Sequence, residues 1–201
     1  MFAKPPPATL ALIVANILVY FLELQGGDDF IGHFALWPPA TPLFQPWQLV
    51  TYAFLHDTGT LAHIFFNMFA LLIFGPQLEN LWGPRRFLTF YFVCVLTAAL
   101  AQLAVTTMTG SQYPTLGASG AIFGILLAFA LFFPQQRVAI YGILPMPAWL
   151  FVTLYGAAEL VFGVTNIEPG VAHFAHLGGM LGAALTIGWW RLRGAAHRGR
   201  F

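Results

Sequence analysis

Ser119 stands in Gly117-Ala118-Ser119-Gly120, among residues too small to shield its hydroxyl. A serine hydroxyl is a weak nucleophile at neutral pH until a base takes its proton. The candidate base is His176, in Ala175-His176-Leu177-Gly178-Gly179. Each residue lies near the start of an apolar run. If the two meet at hydrogen-bond distance, they form the working pair of an acyl-transfer enzyme. The rest of the chain has to bring them together.

The elements available for that are membrane helices. Hydrophobic residues make up 59% of the 201 and charged residues only 7%. A soluble domain carries about 25% charged residues, so this composition reads as an integral, multi-pass membrane protein. Spanning about 30 Å of hydrocarbon takes roughly 20 apolar residues. Six runs approach that length, near 8–24, 61–79, 86–107, 115–133, 148–163 and 171–190. They form one domain over 1–201, an all-α bundle with no internal repeat. The exit of the first run, Leu24-Gln25-Gly26-Gly27, lacks a small-x-small cleavage site, so the run counts as a span. The connection 25–60, with Trp37 and Trp47, reads as an interfacial loop. Pro145 and Pro147 break the helical ladder, which leaves 138–146 as a short inner cap.

Charge fixes the orientation. All eight Lys and Arg residues (Lys4, Arg85, Arg86, Arg137, Arg191, Arg193, Arg198 and Arg200) fall on one side of the six-span arrangement. Asp28, Asp29, Asp57 and Glu168 fall on the other. Positive charge marks the cytoplasmic face, so both termini are expected inside. At about 1.5 Å per helical residue, Ser119, His63, Asn67, His173 and His176 then share one shallow depth under the outer face. Polar groups inside a membrane are costly, and their agreement in depth points to function. Contact between spans four and six is expected along Gly120 and Gly124 on one and Ala175, Gly179 and Ala183 on the other.

Gly117-Ala118-Ser119-Gly120, Ala175-His176-Leu177-Gly178-Gly179 and His63-Ile64-Phe65-Phe66-Asn67 together resemble the three signature motifs of the rhomboid family of intramembrane serine proteases. The resemblance covers the whole six-helix core and is to the compact bacterial type. It implies a Ser-His dyad, with Ser119 as nucleophile, His176 as general base, and His63 and Asn67 near the oxyanion. It also implies transmembrane protein substrates, a site toward the outer face of the bacterial inner membrane, and span five as a lateral gate. Glu79 fits a family position at the inner end of span two. Gln48 stands where many members carry an arginine, Phe123 where some carry a tyrosine packed on the histidine, and Ala183 where a glycine is common. A dyad has no carboxylate to orient the imidazole, so packing, against Phe123, is expected to do so.

Other readings compete. His173 and His56 are read as interhelical hydrogen-bond partners, and Glu159, with no evident cation nearby, as a structural, neutral or hydrogen-bonded group near the outer third of span five, with a role in span-five motion as the alternative. A catalytically silent module of the same fold, binding transmembrane helices, would be favoured by loss of Ser119 or His176, and both are present. A metal site or transporter built on His56, His63, His173 and His176 lacks thiolates and paired carboxylates. No cofactor is expected. No phosphate-binding glycine loop or basic aromatic patch is present, so nucleotide and nucleic-acid binding are excluded as expectations.

Overall fold

Proline and glycine punctuate the helices. The computed structural model describes residues 4–140, 144–165 and 171–198; Glu168 and Arg200 lie outside them. Helix α1 spans Pro7–Phe34, with proline in its first turn and a break at Gly27 (φ 57°). The glycine pair expected to end the first span instead bends it. Left-handed φ is open to Gly27, and the apolar Phe30, Ile31 and Phe34 beyond it continue the helix. The loop 25–60 is therefore shorter than its sequence suggests, and Asp28 and Asp29 are helical. It holds a short helix α2 (Gln48–Thr51) and a 3-10 turn over Tyr52–Phe54.

Helices α3 (Leu61–Trp82) and α4 (Pro84–Thr109) are antiparallel neighbours joined by the single residue Gly83, whose φ of 79° reverses the chain. Helix α5 covers Ser119–Phe132 and starts four residues later than the apolar run. Two features hold the preceding residues out of it. Thr115 pairs with Leu36 through two backbone hydrogen bonds of 2.9 Å, and Gly117 has φ 125°. Strands β1 (Arg137–Ile140) and β2 (Leu144–Pro147) pair antiparallel, where a short inner cap was expected over 138–146. Among the described residues the regular structure is otherwise helical, apart from a single bridge between Leu36 and Thr115. Helix α6 (Ala148–Thr165) begins directly after Pro147, and α7 covers His173–Arg198.

Among the described residues, α1, α3, α4 and α6 are long and apolar enough to cross a bilayer. Helix α5, at 14 residues, is a shorter apolar helix. One end of the bundle gathers the C-terminal ends of α3, α5 and α7, where Trp82 packs against Phe132 and Trp190 at 5.4 and 5.3 Å between ring centroids. Helix α1 starts at this end too. The Glu79 carboxylate of α3 accepts from the Ala8 and Thr9 amides and the Thr9 hydroxyl at 2.7–2.9 Å, capping α1 at its positive end. The arginines of α4 and α7 lie at this end; the starts of α3, α5 and α7 lie at the other.

At that other end the loop folds around Gln48, which is fully buried. Its side-chain oxygen accepts from the Trp37 and Gln45 amides, and its nitrogen donates to the His33 and Leu43 carbonyls, all at 3.0–3.2 Å. An amide offers both donor and acceptor, so this neutral residue serves a site that a guanidinium, a donor only, would satisfy differently.

Candidate active site

Ser119 is the first residue of α5, not one turn into it. Its position is set from outside the helix, because the Gly117 amide donates to the Tyr52 carbonyl at 2.9 Å and Thr115 is paired with Leu36. His176 lies in the first turn of α7. Its Nε2 is 2.8 Å from Ser119 Oγ, so a nitrogen with a free lone pair there accepts the serine proton.

Glycine makes the approach possible. A Cβ on Gly179 would run into the Gly120 carbonyl, and one on Gly124 would come within 2.9 Å of the Gly179 carbonyl. The expected small-residue faces of α5 and α7 meet at these positions. Gly178 and Gly182 face α4, where added Cβ atoms would collide with Ala101 and Thr97.

The imidazole plane is held by Phe123, stacked on His176 at 4.3 Å and 7°. Behind Phe123 packs Tyr155 of α6, at 4.8 Å. The expected packing device is therefore present, but it is not alone. Glu159 Oε2 lies 2.8 Å from His176 Nδ1 and 2.6 Å from His173 Nδ1. The expectation that no carboxylate reaches the base is overturned. Span order alone does not reveal that α6 and α7 pack side by side at this height. Depth alone had set Glu159 about two turns from the C-terminal end of α6 without showing which groups it faces.

His63 and Asn67 lie across the cleft on α3. The amide of His56, in the loop before α3, donates to the Glu23 carboxylate of α1 at 3.0 Å. The next amide, that of Asp57, donates to His63 Nδ1 at 3.2 Å. With Nδ1 accepting, the ring proton sits on Nε2, which faces Gly117 and the side of Ser119. Asn67 Nδ2 donates to the His63 carbonyl at 3.1 Å and has a second N–H to offer. Ser119, His176, His63, Asn67, Phe123 and Tyr155 line one cavity of about 1020 Å³.

His56 sits on the loop before α3, its ring 5.0 Å from that of His63. Burial, then the neighbouring His63, push its pKa down to about 3, so the ring is neutral at ordinary pH. The four histidines considered as a metal set do not converge. Among the described residues, the donors that do are those of Glu159, His173 and His176, within 4.8 Å of one another. There each histidine Nδ1 already has the carboxylate as its partner.

These elements define an integral membrane protein with a serine and a histidine in contact at one end of its bundle. The chain belongs to the rhomboid family: residues 43–193 match the Rhomboid domain. It is 30% identical over 196 residues to Rhomboid protease GluP of Bacillus subtilis (strain 168), covering 91% of this chain and 35% of that protein. It is 32% identical over 208 residues to RHOMBOID-like protein 12, mitochondrial, of Arabidopsis thaliana, covering 96% and 59%. Against Rhomboid protease GlpG of Serratia proteamaculans (strain 568) identity is 27% over 197 residues, covering 97% and 66%. The chain thus spans between about a third and two thirds of the length of these relatives.

Proposed function

We propose that this protein is an intramembrane serine endopeptidase that hydrolyses peptide bonds of transmembrane proteins. The observation that carries the reading is the 2.8 Å contact between Ser119 Oγ and His176 Nε2 inside a cavity. Two relatives that bear the name rhomboid protease support it.

In this reading Ser119 Oγ attacks the scissile carbonyl as its proton passes to His176 Nε2. The imidazolium returns that proton to the leaving amine, and water then cleaves the acyl-enzyme by the same route in reverse. His63 Nε2–H and the second N–H of Asn67 stand as donors for the oxyanion. The cavity lies at the end opposite the arginines, where water can enter and where a substrate helix would present its last turns.

The chain acts as a single domain with six spans and cytoplasmic termini, its site toward the outer face of a bacterial plasma membrane. A serine-directed fluorophosphonate, followed by mapping of the modified residue, tests the chemistry. Label on Ser119, abolished in Ser119→Ala, is the expected outcome; an unlabelled wild-type protein overturns the reading. Cysteines at Gly27 and Arg85, each in a Cys94→Ala background, test the orientation. Only the first should react with an impermeant thiol reagent in intact cells.

A further inference from the structure

We propose that Glu159 is a positioning residue for His176, so that the hydrolytic centre works as a Ser119–His176–Glu159 triad whose third member is carried by α6. The inference rests on the hydrolase reading above. Its geometry is a line of three groups from three helices: hydroxyl on α5, imidazole on α7, carboxylate on α6. Both ring nitrogens of His176 are engaged at 2.8 Å, one by Ser119 and one by Glu159.

That pairing decides the tautomer. An imidazole whose Nδ1–H donates to a carboxylate keeps its Nε2 lone pair free, which is the form able to take the serine proton. Once it has done so, both nitrogens carry protons and the anion pairs with the new positive charge. Stacking on Phe123 fixes the plane of the ring but leaves it free to turn within that plane. The hydrogen bond to Glu159 removes this freedom.

His173 completes the arrangement. Glu159 is 5% exposed, and a carboxylate at such burial needs donors. His173 lies three residues before His176 on the same helical face and gives Oε2 its second, at 2.6 Å. The groups facing His176 are then Ser119 and Phe123 from α5, His63 from α3, Glu159 from α6 and His173 from its own helix.

Helix α6 makes this contact conditional. Only 17% of its most apolar stretch is buried, against 33–39% for α1, α3 and α4. Its buried residues are Ala148, Val152 and Glu159. Displacing its outer half would withdraw the carboxylate from Nδ1 and Tyr155 from Phe123 together.

The test compares wild type, Glu159→Gln, Glu159→Asp and His173→Ala in detergent. It measures the rate of fluorophosphonate labelling at Ser119, steady-state cleavage of one transmembrane substrate, and thermal unfolding. Glu159→Gln keeps the shape and an acceptor oxygen but removes the charge. Its labelling rate and kcat should fall about 10⁴-fold with KM within about two-fold, the scale seen when a triad carboxylate is lost. Glu159→Asp should recover part of the loss. His173→Ala should lose far less than Glu159→Gln, although it removes one of the two ties between α6 and α7. A Glu159→Gln protein with near-wild-type labelling overturns the inference while the hydrolase stands. So does a loss that follows unfolding temperature and is matched by His173→Ala. If Glu159→Gln does not fold, Glu159→Asp decides: a labelling rate and kcat equal to wild type overturn the inference. A wild type that neither labels nor cleaves removes both readings.

Discussion

Helix α7 has two kinds of neighbour. Toward α5 it meets backbone: Gly179 lies on the Gly120 carbonyl and Gly124 on the Gly179 carbonyl. Toward α6 it meets side chains. A Cβ on Gly156 would reach the end of Met180, and one on Gly163 would reach His173 Cβ and the Phe174 ring. Backbone contacts at van der Waals distance have no way to yield, whereas side-chain ends can change rotamer. Ser119 and His176 are therefore joined across the stiff interface. Glu159, the proposed orienting group, comes across the compliant one. A site divided in this way keeps its reacting atoms in register while one wall can move.

The largest effects should come from the stiff side. Ser119→Ala and His176→Ala should each lower cleavage by about 10⁴–10⁶-fold, since no neighbouring group can substitute for either. The unfolding temperature of Ser119→Ala should stay close to wild type, because only a hydroxyl is removed, whereas His176→Ala also takes a hydrogen-bond partner from the buried Glu159 and should unfold earlier. Substantial turnover in a clean Ser119→Ala preparation would sink the assignment. Glu159→Gln, on the compliant side, comes next.

Asn67→Ala tests the wall opposite. If the free N–H of Asn67 meets the oxyanion, kcat should fall about 10²–10³-fold with KM nearly unchanged. If the amide serves only its bond to the His63 carbonyl, the cost should be about 0.6 kcal/mol of stability, with chemistry intact. Steady-state kinetics beside thermal unfolding separate the two. His63→Ala should resemble Asn67→Ala, and the double variant should lose less than the product if both face one oxyanion.

What the sequence made legible follows from where the signals were local. Ser119, His176, His63 and Asn67 sit in short motifs near helix starts, so depth alone gathered them. The same holds for α6, whose start after Pro147 is written in the prolines. Gly27 misled because a glycine pair beside two aspartates looks like a turn. Nothing local says that an apolar segment beyond it resumes the helix. The start of α5 was set too early because the apolar run begins at Thr115, while the pairing that holds Thr115 out of the helix comes from Leu36, 79 residues earlier. The partners of Glu159 were hidden for a related reason. Its partners are on another helix, and a lone carboxylate in an apolar run carries no sign of what it faces.

The smallest effects should separate the two interfaces directly. Replacing glycine by alanine inside a helix favours the helix by about 1 kcal/mol when the methyl has room. At Gly179 it has none. The new Cβ would meet the Gly120 carbonyl, and α5 would have to shift as a body. Overpacking of this kind costs about 1–3 kcal/mol, more than the propensity gain, and moves Ser119 away from His176. Gly179→Ala should therefore lower both unfolding temperature and labelling rate. At Gly156 the nearest atom is Met180 Cε at 3.1 Å, the free end of a flexible side chain. Rotation of that methyl clears the space, so Gly156→Ala should leave stability unchanged or raise it by up to about 1 kcal/mol, with labelling close to wild type. Thermal unfolding and fluorophosphonate labelling of the two proteins in one detergent make the comparison. Equal destabilisation would mean that α6 packs on α7 as rigidly as α5 does, and the division between a fixed pair and a movable carboxylate would fail.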